Sequence, residues 1–114
     1  MLGNEKPRSE IPPGTLEMLI LKILKRFGPM HGYGIAKCIQ QTSEDVLRVE
    51  EGSLYPALQR ILIKGWVTAE WTQAGPKRRS RIYHLTQEGR KQLTAEISAY
   101  RRVSQAIGRV IEPA

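Results

Sequence analysis

Three short helical stretches, a cation-loaded hairpin and one long closing helix, in that order along 114 residues, predict a mainly α fold with a small β-hairpin. This is the order of a winged helix-turn-helix domain followed by a long C-terminal helix. Three observations carry the expectation. Apolar residues recur at helical spacing in three separate stretches before Gly65. Residues 66–85 turn aromatic and β-branched, interrupted at 73–80 by Gln-Ala-Gly-Pro-Lys-Arg-Arg-Ser. From residue 87 onward, apolar residues return every third or fourth position as far as residue 110.

The elements follow in order. Residues 1–13 are polar and carry Pro7, Pro12 and Pro13, the composition of a flexible N-terminal arm. The winged helix-turn-helix domain is expected over 14–86 and the C-terminal dimerisation helix over 87–114. Helix one spans 15–27, with Thr15 as N-cap, Glu17 at the positive end of the dipole and Lys25 and Arg26 in the last turn. Leu16, Leu19, Ile20, Ile23, Leu24 and Phe27 form its stripe, and Gly28-Pro29 stops it. Helix two spans 31–42 and buries Ile35, Cys38 and Ile39; Gly32 and Gly34 mark places where another backbone approaches closely. Residues 43–51 connect, with a short strand expected at 47–49. Helix three spans 53–64, capped by Ser53, with Pro56 tolerated in its first turn. Leu54, Ala57, Leu58, Ile61 and Leu62 share its inner face, and Gly65 ends it. Strands at 66–72 and 81–85 flank the loop, and Thr86 caps the helix at 87–111. Trp66, Trp71 and Tyr83 are expected to serve core or strand-pair packing.

Hydrophobic residues make up 40% and charged residues 25%, enough for one modest core. The net charge is +7, which favours polyanionic partners. Its distribution is sharper: between Ser53 and Tyr83, six cations (Arg60, Lys64, Lys77, Arg78, Arg79, Arg81) face only Glu70, a local charge of +5. One cysteine, Cys38, excludes an intrachain disulfide. The polar start resembles no signal peptide, and Glu17 and Lys22 interrupt the longest apolar cluster, at 16–24, so a cytoplasmic location is expected, nucleoid-associated when DNA is bound.

A helix enters the major groove when its outward face is polar and not acidic. With the stripe of helix three turned inward, Tyr55, Pro56, Gln59, Arg60 and Ile63 point out. Gln59 suits adenine, Arg60 a phosphate or guanine, and Ile63 a thymine methyl or the hairpin. Lys64 adds charge at the end of the same helix. Lys77, Arg78, Arg79 and Arg81 on a protruding hairpin can neutralise phosphates or enter a narrow minor groove. Alone, a charge run is as readily a solvated loop. Next to helix three in this order it points to double-stranded DNA.

The same residues carry a resemblance. Residues 28–35 (Gly-Pro-Met-His-Gly-Tyr-Gly-Ile), 52–58 (Gly-Ser-Leu-Tyr-Pro-Ala-Leu), 64–66 (Lys-Gly-Trp) and 81–89 (Arg-Ile-Tyr-His-Leu-Thr-Gln-Glu-Gly) are similar to the PadR family of bacterial transcriptional regulators. The likeness runs from about Pro12 to Ile111. It implies a homodimer whose last helices cross-pack and whose two winged heads read a pseudo-palindromic operator. It implies that Ser53, Tyr55, Pro56 and the basic wing lie at the DNA, with His31 and Tyr33 near the phosphate backbone. It implies the short form, with a single C-terminal helix, and a repressor released by a small molecule, often aromatic or phenolic. Some members place a tryptophan on the last helix; here Tyr100 is its only aromatic residue. The stripe Leu93, Ile97, Tyr100, Val103, Ile107 and Val110, with near-heptad spacing, is the expected dimer seam.

Two other classes compete. An enzyme needs a convergent acid, base or nucleophile; His31, His84 and Cys38 form no such set, lack metal-ligand spacing, and no phosphate-cradling glycine loop is present, so neither catalysis nor a cofactor is expected. A winged helix that binds protein without sequence-specific DNA binding is the alternative, but it would call for an uncharged or acidic wing.

Overall fold

The computed structural model describes residues 11–12, 14–76 and 78–113, with the side chains of Ala74, Gly75 and Arg78 left aside. The expected flexible arm therefore lies almost wholly outside the described residues, as does Lys77. The chain runs α1 (Leu16–Phe27), β1 (Met30–His31), α2 (Gly32–Thr42), α3 (Glu51–Ile63), β2 (Val67–Gly75), β3 (Arg78–Leu85) and α4 (Gln87–Ile111). The mainly α winged helix-turn-helix class is as the sequence predicts.

The stripes close on one another. Ile20, Leu21, Ile23 and Leu24 of α1, Ile35 and Ile39 of α2, and Leu54, Ala57, Leu58 and Ile61 of α3 form one buried cluster. Val67 and Tyr83 cover it from the hairpin and Leu93 from the first turns of α4. Burying such side chains contributes roughly 1.5–3 kcal/mol each before entropy is counted.

The sheet has three antiparallel strands in the order β1-β3-β2. The two-residue β1 pairs Met30 with Tyr83 and His31 with Ile82, stitching the start of α2 to the hairpin. The main ladder sets Val67 opposite Leu85, Trp71 opposite Arg81 and Gln73 opposite Arg79, with a bulge between Gln73 and Gly75.

Several local expectations change. Thr15 holds the N-cap position of α1 as expected, but its side chain accepts no helix N–H; its hydroxyl donates to the carbonyl of Pro12 at 2.7 Å. The α3 helix begins two residues before the expected Ser53 cap, with Glu50 as the extended N-cap residue. Pro56 consequently lies past the first turn, where its missing N–H deprives the Gly52 carbonyl of its helical donor. Residues 47–49 form no strand, only an isolated bridge at Leu47. Pairing continues to Gly75 and Arg78, so most of the expected 73–80 loop belongs to the strands.

One junction fixes the exit of α4. The Trp66 N–H donates to Ile61 O at 3.0 Å and the Thr86 N–H to Trp66 O at 3.1 Å. The Thr86 hydroxyl donates to Gly65 O at 2.7 Å and accepts from the Gly89 N–H at 3.0 Å, the predicted cap. A Cβ at Gly89 would drive into the Trp66 carbonyl and the Leu85 side chain, so only glycine lets α4 start this close to the hairpin base.

Candidate nucleic-acid interface

Most of the residues singled out in the sequence fall into two clefts beside α3; Ile63 and Lys64 line neither. The first, about 460 Å³, opens between α2, α3 and the hairpin, and is lined by His31, Tyr33, Tyr55, Gln59, Arg79 and Arg81 together with Gly32, Trp71, Ser80 and Tyr83. The second, about 500 Å³, collects Ser53, Pro56 and Arg60 with Arg48, Ile11, Pro12, Gly14 and Leu16.

Local structure explains how the first cleft is built. A Cβ at Gly32 would stand 3.1 Å from Leu58 Cδ1 and 3.4 Å from Tyr55 Cε1, so this glycine seats α3 tightly on the start of α2. Gly34 has no comparable neighbour; its nearest contact would be Met30 at 3.6 Å. His31 Nδ1 lies 2.9 Å from Ser80 Oγ and 3.2 Å from Arg81 O. With the proton on Nδ1 it donates to the carbonyl; in the other tautomer it accepts from the serine hydroxyl. In either form His31 is bound to the hairpin. Tyr33 stands in solvent with Lys37 Nζ 5.4 Å from its ring centroid, which brings in a cation the sequence reading did not single out.

The hairpin changes character along its length. At its base Tyr83 is buried, and desolvation pushes its phenol above the ordinary value while the charge and hydrogen bond of Arg81 pull it down. Toward the tip, Trp71 is exposed, with the guanidinium carbons of Arg79 and Arg81 4.6 and 5.2 Å from its ring centroid. Trp66, by contrast, packs against the core as expected. On the other face of the ladder His84 and Glu70 pair at 2.9 Å.

The α3 helix presents Tyr55, Pro56, Gln59, Arg60 and Ile63 outward, as predicted. Ile63 is 75% exposed and does not pack on the hairpin. Arg60 and Lys64 have a different setting from the one their charges suggest. Glu17 of α1 holds them at 3.5 and 3.4 Å, and Lys64 also lies over the Trp66 ring at 4.6 Å. Among the described residues, the cations that line the first cleft are thus Arg79 and Arg81 of the hairpin. The first turn of α1 supplies the carboxylate, a partner that sequence spacing does not reveal.

The expected seam on α4 divides in two. Leu93 is fully buried in the protomer's own core, which removes it from any interface between copies, and Ile97 packs partly against that core. Tyr100, Val103, Ile107 and Val110 all stand exposed. Among the described residues, no group of three or more His, Cys, Asp or Glu is placed to hold a metal ion, and no helix is long and apolar enough to cross a membrane.

Comparison with known proteins places this architecture. Residues 20–95 match the model of the transcriptional regulator PadR-like family. A 37.1 kDa protein in transposon TN4556 of Streptomyces fradiae is 40% identical over 98 residues, 86% of this chain and 26% of that one. The negative transcriptional regulator PadR of Bacillus subtilis is 27% identical over 69% of this chain and 43% of its own length. The chain therefore spans about a quarter of the first relative and less than half of the second. The crystal structure of Bacillus subtilis PadR in complex with operator DNA matches at a TM-score of 0.68, 27% identical, over 75% of this chain and 48% of that one. A transcriptional regulator from Clostridium thermocellum shares the fold at a TM-score of 0.80 and 23% identity, over 87% and 95% of the two chains. The family is one of transcriptional regulators rather than enzymes, and with two thirds of its length matched, this chain belongs to the PadR-like family of transcriptional regulators.

Proposed function

We propose that the chain binds double-stranded DNA sequence-specifically, as a homodimeric repressor on a pseudo-palindromic operator. One observation carries the reading: the start of α2, the polar outer face of α3 and the arginines of the hairpin open onto a single cleft. A helix with uncharged polar groups reads base edges, and cations beside it neutralise phosphates. In this reading Gln59 pairs with adenine and Tyr55 hydrogen-bonds an adjacent base. Ser53 and Pro56 face the backbone near the start of α3. His31 and Tyr33 approach a phosphate, Arg79 and Arg81 hold the flanking strand, and Lys77 and Arg78 extend that hold. Arg60 and Lys64, tied to Glu17, strengthen the field behind the helix. The complex of the Bacillus relative with operator DNA supports the DNA-binding reading.

The dimer is proposed through the distal part of α4, where Ile97, Tyr100, Val103, Ile107 and Val110 continue a stripe that their own domain leaves largely uncovered. Release by a small-molecule effector, whose identity the sequence does not set, completes the scheme. This reading places the protein in the cytoplasm, on the nucleoid when bound.

The test is a titration of the full chain against the duplex upstream of its own gene, beside a scrambled duplex of equal length, at two salt concentrations. An excess affinity for the native duplex that persists at the higher salt is expected. Equal, salt-sensitive binding to both would reduce the interaction to electrostatics alone and overturn the proposal of specific recognition.

A further inference from the structure

Trp71 is 56% exposed on the hairpin, adds nothing to the core, and still has a structured surrounding. Strand alternation puts Trp71, Arg79 and Arg81 on one face of the ladder, with Arg81 directly opposite Trp71 and Arg79 opposite the next residue on that face, Gln73. Both guanidinium groups lie over the indole, at 4.6 and 5.2 Å. Among the described residues, each other ring in such a contact (Phe27, Tyr33, Trp66) takes one cation, and Trp71 takes two.

This arrangement answers a physical problem. Two like charges at neighbouring register positions repel, and long arginine side chains lose rotamer freedom when a ligand fixes them. The negative face of an indole attracts both cations and restricts their rotamers while leaving the N–H edges free to donate. Arg81 lines the cleft, and its charge and side-chain hydrogen bond also reach the buried Tyr83 phenol, so its guanidinium is already oriented on the hairpin. We propose that Trp71 is a positioning residue of the wing, whose indole holds Arg79 and Arg81 in order before a phosphate backbone arrives. The proposal rests on the DNA-binding reading above and adds a role for a residue that carries no charge itself.

The signature is a loss of affinity without a loss of salt dependence. Replacing an arginine removes a phosphate contact and lowers the slope of log K against log salt by about one. Trp71→Leu keeps both cations, so the slope stays at the wild-type value while affinity for native and scrambled duplexes falls about tenfold. Trp71→Phe, which retains an aromatic face, is expected to recover most of that loss. A second measurement needs no DNA: in the free protein, the 15Nε order parameters of Arg79 and Arg81 should drop in Trp71→Leu and stay near wild type in Trp71→Phe. Wild-type protein that binds neither duplex would overturn the DNA-binding reading and this proposal with it. Wild-type protein that binds, beside a Trp71→Leu variant of equal affinity or unchanged arginine order, would overturn the proposal alone.

Discussion

Both α3 and α4 have one side turned to solvent, and the two sides are opposite in chemistry. On α3 the apolar set Leu54, Ala57, Leu58 and Ile61 is consumed inside the domain, and what remains outside is Tyr55, Gln59, Arg60 and the single apolar Ile63. On α4 only Gly89 and Leu93 are buried, and Tyr100, Val103, Ile107 and Val110 remain exposed along the rest of the helix. A polar, cation-flanked face suits a hydrated polyanion. An exposed apolar stripe suits another apolar stripe. One domain thus offers two surfaces that cannot exchange partners.

The sharpest way to separate them is thermodynamic. Leu58→Ala, inside α3, should lower the unfolding free energy by about 2–5 kcal/mol, whereas Ile107→Ala should change that of the dilute monomer by less than about 0.5 kcal/mol. Urea titrations followed by circular dichroism measure both. If Ile107→Ala proved as costly as Leu58→Ala at low concentration, the stripe would belong to the protomer after all. Next in size, Val103→Glu with Ile107→Glu should abolish association in sedimentation velocity. It should weaken binding to a two-half-site duplex about 100-fold while leaving single half-site affinity nearly unchanged, because linked binding is lost. On the polar face, Gln59→Ala should reduce discrimination between native and base-substituted duplexes by about 1–3 kcal/mol in competition titrations, without altering the salt slope. The smallest effect concerns the joint between the helices: Thr86→Ala, which deletes the cap on Gly89, should lower stability by about 1 kcal/mol.

How much of this was legible depended on how local its cause was. The stripes of α1, α3 and α4 and the Thr86 cap lie in contiguous sequence and were readable in outline, although Phe27, placed on the α1 stripe, is exposed while Met18 and Leu21, left off it, are buried. Ser53 suits a cap by residue type, yet α3 already begins at Glu51, and Gly52 lies in its first turn with open space around it. Gly-Pro and three consecutive cations resemble a loop, whereas strand pairing runs on to Gly75 and Arg78 with a bulge between Gln73 and Gly75. Two-residue β1 leaves no pattern, since its partners Ile82 and Tyr83 lie some fifty residues away. For the site, the cluster of Tyr55, Gln59, Arg79 and Arg81 followed from fold order. The hold of Glu17 on Arg60 and Lys64, and that of Trp71 on Arg79 and Arg81, arise only when separate elements meet.

The junction of Gly65, Trp66, Thr86 and Gly89 has a consequence for the proposed dimer. It joins the end of α3, the base of the hairpin and the first turn of α4 through backbone hydrogen bonds and a contact with no room for a side chain. In the proposed dimer a joint this tight would give each head little play about its shaft, so that the pair would work as a caliper of set gauge. Half-sites on the duplex lie about 34–36 Å apart per helical turn, and each base pair turns the groove by a tenth of a revolution. Such a caliper would register an inserted base pair as a mismatch in angle as well as in distance, and operator spacing would then be part of what the proposed dimer recognises, alongside the bases themselves.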